Sequence, residues 1–193
     1  TDLTINRVVN DNNDYLSSLQ NLVNLHLGDN ITHLPSLDGK TKLKTVEGNG
    51  ITIIERETFY GTTSLKTVSF PNLKTIRDWA FKDSGIKSIE LPNTLDSIGS
   101  DAFCGAKLTN IVLPSSLKNV GENAFENCED LTSLTIKGNT SFERNVFENC
   151  SSLSSVSLPN DLESLGEEMF CGCSSLVEIS LPHDLKVIPK SAF

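Results

Sequence analysis

Apolar residues recur along the chain at a nearly fixed interval, and phenylalanine marks that interval most clearly. Successive anchors are 22 or 23 residues apart, and they are Phe59, Phe81, Phe103, Phe125, Phe147, Phe170 and Phe193. A period in the range of about 20–50 residues is typical of solenoids and other repeat proteins. The pattern therefore predicts a repeat architecture.

The residues around each phenylalanine repeat as well. An apolar residue precedes each anchor by five positions: Ile54, Ile76, Ile98, Val120, Phe142, Leu165 and Ile188. A segment of the form L-x-x-I-x-L, usually followed by proline, begins five or six positions after the anchor. These segments are 65–70, 86–91, 108–113, 131–136, 153–158 and 176–181.

Each part of the repeat predicts a local structure. The alternation in L-x-x-I-x-L is typical of a half-buried β-strand, and the proline after it ends the strand because it has no N–H. The return leg that carries the phenylalanine, such as 100–103, is too short for an α-helix, so we expect a turn or a short 3₁₀ segment. One coil cannot bury its own apolar face, so the coils must stack, with a parallel β-sheet on one face.

The pattern weakens toward the N-terminus. The segment 43–48 lacks its last apolar residue and its proline, whereas 22–27 is a clearer strand, with Leu37 at the phenylalanine position. Residues 1–21 are either a degenerate repeat, with Leu16 at the phenylalanine position, or an N-terminal cap, because terminal repeats are usually atypical.

Composition and charge restrict the possible functions. No linker rich in proline or serine divides the chain, which predicts one domain over 1–193, with about eight repeats of 22–23 residues. The net charge of −9 disfavours a nucleic-acid partner, since phosphate binding needs clustered Lys and Arg. No apolar run is long enough for membrane insertion. We interpret the chain as a fragment, whose unfinished edge at Phe193 predicts end-to-end association or a poorly ordered last coil.

One copy carries a motif that resembles the BspA-type leucine-rich repeat, L-x-x-I-x-L-P-x-x-L-x-x-I-G-x-x-A-F-x-x-C. The copy from Leu108 through Pro114 and Phe125 to Cys128 matches it at nearly every position. The resemblance is clear over residues 43–193 and weaker before them. It implies a leucine-rich-repeat solenoid, a right-handed superhelix with a parallel β-sheet on one face, turns and short 3₁₀ segments on the other, and little α-helix.

Members of this family occur on bacteria and protozoan parasites. The resemblance therefore implies a cell-surface or secreted module that binds a protein ligand, such as a host extracellular-matrix protein or another cell surface, without catalysis or a cofactor. Two alternatives stay open. The chain could be an intracellular protein-interaction scaffold, or a repeat arm of a larger protein whose catalytic domain lies elsewhere.

The outward side chains of the predicted sheet form two columns, with one residue per strand in each. They are mostly small and polar, which suits a broad, weak, multivalent binding surface and equally suits exposed strand positions without a ligand. Neither column holds Trp, Tyr or Arg, the residues that dominate binding hot spots. The candidate binding residues are Glu47, Thr67, Ser69, Ser88, Glu90, Asn110, Val112, Ser133, Thr135, Ser155, Ser157, Glu178 and Ser180.

The cysteines follow the repeat. Cys128, Cys150 and Cys173 each lie three residues after a phenylalanine, in a slot that holds Thr, Ser or Ala in other copies. This predicts a small buried site with a free thiol, and a disulfide between stacked coils is the alternative. Cys104 and Cys171 directly follow their phenylalanine and are expected nearer the surface.

No motif predicts catalysis or a metal site. Cys171, Cys173 and His183 fit no standard zinc spacing. A Cys–His catalytic pair is not expected, because residues many repeats apart stay many coils apart in a solenoid. The Asp and Asn residues at 11–14 form the one cluster of closely spaced oxygen ligands, and we interpret it as a polar loop or cap. Trp79 lies on a return leg, where packing is the favoured role.

Overall fold

The computed structural model describes residues 1–7, 16 and 18–193, so the cluster at 11–14 lies outside the described residues. The chain forms a parallel-strand solenoid of about seven turns, which confirms the predicted fold class. The described residues contain no helix. In chain order the strands are β1 (Asp2–Ile5), β2 (Asn24–Leu27), β3 (Thr45–Gly48), β4 (Ile53–Ile54), β5 (Thr67–Ser69), β6 (Thr75–Ile76), β7 (Ser97–Ile98), β8 (Asn110–Leu113), β9 (Asn119–Val120), β10 (Ser133–Ile136), β11 (Ser141–Phe142) and β12 (Ser155–Ser157).

The L-x-x-I-x-L segments form what we call the front sheet, which has two separate parts. Strands β1, β2, β3 and β5 pair in parallel in that order, and β8, β10 and β12 form the second part. The register aligns equivalent repeat positions, so that Val46 lies between Leu25 and Val68. These inward residues are buried, and their neighbours in sequence face solvent. As predicted, β8 ends directly before Pro114.

A second parallel sheet, which we call the side sheet, contains β4, β6, β7, β9 and β11. Each of these strands has two residues, and the second residue is the apolar position five before a phenylalanine. The sequence pattern did not predict strands in this stretch. A strand of two residues has no alternation of its own to detect, and its existence depends on the coils stacked on either side.

The return legs are series of turns, and none of the described residues is in a 3₁₀ helix. In each coil the residues two before and two after the phenylalanine have left-handed backbone, with φ between 53° and 74°. Asn, Asp and Gly, which tolerate this conformation best, fill most of these positions. They are Glu57, Gly61, Trp79, Asp83, Asp101, Gly105, Asn123, Asn127, Asn145, Asn149, Glu168, Gly172 and Ser191.

The left-handed residues let main-chain N–H groups point along the solenoid axis. In the coil that carries Phe103, for example, Asp101, Phe103 and Gly105 each donate to a carbonyl of the following coil, at 2.8, 2.7 and 2.8 Å. The same three bonds recur from coil to coil and form a return-leg ladder. Leu37 follows the same rule by donating to the Thr58 carbonyl at 2.9 Å, so it takes the phenylalanine position as predicted.

The core is a continuous column of side chains between the front sheet and the return legs. The phenylalanine rings stack, and the rings of Phe81, Phe103 and Phe125 lie 4.9 and 5.0 Å apart between centres. These spacings match the distance between adjacent strands and fall in the favourable range for aromatic pairs. One cluster of buried apolar residues extends from Ile5 to Ala192.

Candidate binding surface

The front sheet brings most of the candidate binding residues into the two predicted columns. Glu47 pairs in register with Ser69, and Thr135 lies between Val112 and Ser157. His26 continues the first of these columns, and its Nδ1 lies 2.6 Å from Glu47 Oε1. The remaining candidates depart from the prediction, since Ser88, Glu90, Glu178 and Ser180 lie outside every strand.

Residues 88–91 form a break in the front sheet between β5 and β8. Lys87 is still hydrogen-bonded to both neighbouring coils. Its N–H donates to the Lys66 carbonyl at 3.4 Å, and its carbonyl accepts a hydrogen bond from the Thr109 N–H at 3.1 Å. Beyond that point, none of Ser88, Ile89, Glu90 and Leu91 makes a hydrogen bond to any described residue. The interior of the sheet therefore holds four residues whose main-chain donors and acceptors have no partner in the described part of the chain.

Apolar side chains are partly uncovered at this break. Val68 and Ile111, the inward residues of the flanking strands, are buried, whereas the equivalent Ile89 is only half-buried. Val112, an outward candidate residue, is 41% exposed. The break opens a surface groove of about 470 Å³, and its lining residues are Ser88, Ile89, Glu90, Leu91, Asn110, Val112 and Lys137.

Charged side chains without a charged partner among the described residues lie in the groove and on the coils before it. Lys44, Lys66 and Lys87 occupy the same repeat position in three successive coils, are exposed, and form no ion pair with any described residue. Lys137 and Glu90 line the groove itself, and neither side chain has a charged partner among the described residues.

Sequence reasoning identified four of the seven lining residues of this groove and missed the other three. It identified Ser88, Glu90, Asn110 and Val112 as outward residues, but it treated Ile89 as core and did not consider the lysines. One signal was present. The connector from phenylalanine to the next front segment shortens from six residues to five between Phe59 and Phe81, at the place where the sheet breaks.

The return legs carry the aromatic and cationic residues that the front sheet lacks. Trp79 is half-buried, with the Arg56 guanidinium carbon 4.4 Å and Lys82 Nζ 5.3 Å from its ring centre. Arg77 lies beside it and pairs with Glu55 at 3.2 Å. The tryptophan ring therefore contacts two cations of its own chain, which agrees with a packing role.

The three cysteines of the repeated slot form a second internal ladder. The thiols of Cys128, Cys150 and Cys173 each donate to the carbonyl of a phenylalanine in the preceding coil, at 3.2 Å in every case. Burial raises the pKa of Cys128 well above its usual range and that of Cys173 to about 12. All five cysteines are free, as the buried-thiol interpretation predicts and the disulfide alternative does not.

The prediction that Cys104 lies near the surface is wrong, because the residue is buried with 7% of its area exposed. One ligand atom each from Asp101, Cys104 and Glu126 lies within 4.8 Å of the other two. Lys82 Nζ already contacts Asp101 Oδ1 at 2.8 Å, so a cation is present at the cluster. Burial raises the pKa of the Cys104 thiol to about 11, and burial and then the nearby Glu148 carboxylate raise that of Glu126. The structure does not bring Cys171, Cys173 and His183 together as a ligand set within its described part.

The sequence matches a known protein family. The family described as BspA type leucine rich repeat region matches the chain in six copies, over residues 2–87, 38–151 and 74–193. The chain belongs to the BspA-type leucine-rich-repeat family, and it is a repeat scaffold. No curated protein matches it in sequence at a significant level.

Several solved structures are similar to this chain, and the first of them shares its fold. A leucine-rich repeat protein of T. pallidum is 26% identical with a TM-score of 0.68, over 91% of this chain and 83% of that one. A leucine rich cell surface protein of Faecalibacterium prausnitzii is 19% identical with a TM-score of 0.40, over 89% and 70%. The pneumococcal vaccine antigen PcpA is 20% identical with a TM-score of 0.42, over 85% and 52%. No helix in the described part of this chain is long and apolar enough to cross a membrane.

Proposed function

We propose that the protein is a non-catalytic adhesion module of a cell surface, and that the front sheet binds a protein ligand such as an extracellular-matrix protein. The observation that carries the proposal is the front sheet itself, where the exposed residues of successive coils lie in register and leave a groove at the break. The family adds support, since its repeats occur on microbial surfaces. A surface without buried hot spots is suited to weak contacts that many copies reinforce.

Binding to immobilised fibronectin and fibrinogen, with albumin as the control protein, tests the proposal. Replacing Ser69 and Ser157 by Lys places two new charges on the front sheet. The matched control places the same charges at Asn119 and Ser141, which are exposed strand residues of the side sheet. We expect saturable binding that the front-sheet variant weakens and the side-sheet variant retains. Equal loss in both variants would contradict the assignment of the site.

An intracellular scaffold is the second candidate, and the five free cysteines favour it, because unpaired thiols are usual in reducing compartments. An antibody raised against the purified protein separates the two candidates. Labelling of intact cells supports surface display. Labelling that needs permeabilised cells supports the intracellular scaffold.

A further inference from the structure

Ion pairs between neighbouring coils recur along the solenoid. Side chains of opposite charge on adjacent coils approach to N···O distances of 2.7–3.2 Å in the pairs Arg77–Glu55, Lys82–Asp101, Lys118–Asp96, Arg144–Glu122 and Lys186–Glu163. A charge on one coil is thus commonly balanced by a charge of opposite sign on the next.

One repeat position, next to the strands of the side sheet, shows this balance clearly. The main chain keeps its residues in line, since the Asp96 N–H donates to the Lys74 carbonyl at 2.8 Å and the Lys118 N–H donates to the Asp96 carbonyl at 2.9 Å. A carboxylate separates each lysine from the next lysine in this row. In chain order the row is Thr52, Lys74, Asp96, Lys118, Thr140, Glu163 and Lys186.

Beside the front sheet, one repeat position has the opposite arrangement. Lys44, Lys66 and Lys87 fill it in three successive coils, and we call them the lysine row. The Lys66 N–H donates to the Lys44 carbonyl at 2.9 Å, and the Lys87 N–H donates to the Lys66 carbonyl at 3.4 Å, so the three residues follow one another at the coil spacing. They are exposed, and none of them pairs with a carboxylate in the described part of the chain.

The lysine row is unfavourable for the fold by itself. Like charges directly opposite each other on neighbouring strands repel and destabilise a sheet. An anionic ligand that contacts several of the lysines would remove this repulsion. Because the row extends over two coil spacings, about 10 Å, the ligand needs several negative charges over a similar length.

The surroundings of the lysine row favour a sugar polymer. The neighbouring Thr45, Thr67 and Thr109 are polar, and the segments 43–46, 65–68 and 86–89 contain no aromatic residue. Single-stranded nucleic acid binds where bases can stack on aromatic side chains, and the lysine row offers no such platform. Ammonium and hydroxyl groups, by contrast, can donate to the anionic oxygens and hydroxyl groups of a sulfated sugar.

The width of the lysine row favours a single chain over a broad surface. Glu47 and Glu90 lie three residues beyond Lys44 and Lys87 and are exposed. A flat anionic membrane would meet these carboxylates together with the lysines, whereas one polymer chain along the row contacts the lysines alone. Sulfate groups give a polysaccharide more charges over this length than carboxylates alone, and they match three lysines in succession better.

We propose that the lysine row binds a linear sulfated polysaccharide, which lies along the solenoid axis with its sulfate groups on Lys44, Lys66 and Lys87. The inference goes beyond the proposed function, because the ligand is a glycan instead of a protein. Its site is the lysine row instead of the two outward columns of the front sheet. Salt should weaken the binding, since ions screen exposed charges.

Binding of the purified protein to immobilised heparin, followed by surface plasmon resonance, tests the proposal. Heparin from which the sulfate groups have been removed is the matched ligand. Polyglutamate, single-stranded DNA and phosphatidylserine vesicles represent the other classes of anion. We expect saturable binding to heparin at low salt, and binding at least about tenfold weaker to each of the others.

A matched pair of triple variants locates the site. Replacing all three lysines of the lysine row by Thr, the residue found at this position in later coils, is expected to weaken heparin binding roughly tenfold through the loss of three exposed charge contacts. The control replaces Lys74, Lys118 and Lys186 by Thr, which changes the net charge by the same amount. We expect this control to change the affinity less than about twofold.

The proposal would be overturned by the absence of heparin binding, by equal losses in the two triple variants, or by equal binding of any other anion. Thermal unfolding checks the premise, because removal of the lysine row should leave the unfolding temperature unchanged or raise it. A marked drop would show that the lysines stabilise the fold, which would remove the argument for a ligand. If heparin does not bind while the protein still adheres to fibronectin, this inference is wrong and the proposed function stands.

Discussion

On the return side of the solenoid, the N–H of each phenylalanine from Phe59 to Phe170 donates to the following coil at 2.7–2.9 Å. On the front side, hydrogen bonding between coils stops at residues 88–91 and resumes at β8. Both sides are built from the same repeats. The two sides therefore differ in what holds neighbouring coils together.

The return side is held by side chains as well as by main-chain bonds. Each anchor phenylalanine from Phe59 to Phe170 is buried and stacks on a ring in the adjacent coil, so side-chain packing adds to the hydrogen bonds that hold these coils together. The front segments contribute smaller aliphatic residues on one face only, and the other face is in water. A local separation of strands therefore costs less on the front side, and a binding site can form there without loss of the fold.

The largest effect is expected from Phe103→Ala, which removes a ring from the middle of the stack. A buried Phe→Ala change costs about 3–5 kcal/mol through lost burial and the cavity left behind. Chemical denaturation followed by circular dichroism measures this loss in the free energy of unfolding. Val112→Ala on the exposed front face is the control, expected to cost less than about 1 kcal/mol. Similar losses in both variants would remove the distinction between the two sides.

A matched pair of leucines tests the front side against itself. Leu113 ends β8 and is fully buried, whereas Leu91 holds the equivalent position in the break and is half-buried. We expect Leu113→Ala to cost about 3 kcal/mol and Leu91→Ala about 1 kcal/mol, because the second side chain loses less burial. The free energies of unfolding from urea titration measure the difference. Equal costs would mean that residues 88–91 pack as tightly as their neighbours.

The buried thiols predict a loss of stability at high pH. Burial raises the pKa of Cys128, whereas the thiol of an unfolded chain titrates near about 8.5. Below that pH both states are protonated and the thiol has no effect. Above it the unfolded state alone loses the proton, so the free energy of unfolding falls until the pH reaches the raised folded-state pKa. The expected fall is about 1.4 kcal/mol per pH unit.

Cys128→Ala isolates this contribution, because Ala106 fills the same slot in another coil. Urea titrations at successive pH values above about 8.5 should give a shallower fall in stability for the variant than for the unchanged protein. Parallel curves for the two proteins would contradict the prediction, because they would mean that the Cys128 thiol has the same protonation in the folded and the unfolded state.

The smallest effect concerns the left-handed positions of the return legs. Glu168 has a φ of 53°, a conformation that asparagine adopts more readily than glutamate. We expect Glu168→Asn to stabilise the protein by about 0.5 kcal/mol, with thermal unfolding as the measurement. Glu167→Asn, at an adjacent exposed residue without positive φ, serves as the control and should give no gain. A gain at Glu167 alone would contradict the strain argument.

The repeat made most of the fold predictable. The spacing of phenylalanines indicated the stacked core, L-x-x-I-x-L indicated the front strands, and the slot after each phenylalanine indicated the buried thiols of Cys128 and its equivalents. Leu37 was recognised as a substitute for phenylalanine because position in the repeat mattered more than residue type. These features follow from hydrophobic periodicity, which is a property of the sequence alone.

The side sheet and the return-leg ladder were not predictable in the same way. A two-residue strand such as Ser97–Ile98 carries no periodicity, and it becomes a strand only because Thr75 and Asn119 lie beside it. The left-handed residues were visible as recurring Asn, Asp and Gly, but Trp79 and Glu57 hold the same conformation without that composition. Stacking imposes the backbone there, overriding the preference of the residue.

The sequence by itself determined that coils of 22 or 23 residues stack around a phenylalanine column, because burial of an apolar face admits no other use of that period. The tertiary structure alone decided where the front sheet stays closed. Connector length changes at the break, yet the reverse change between Phe103 and Phe125 leaves β8 and β10 paired. Hydrogen bonds between strands depend on the relative positions of two coils, and that relation is set by packing through the whole core.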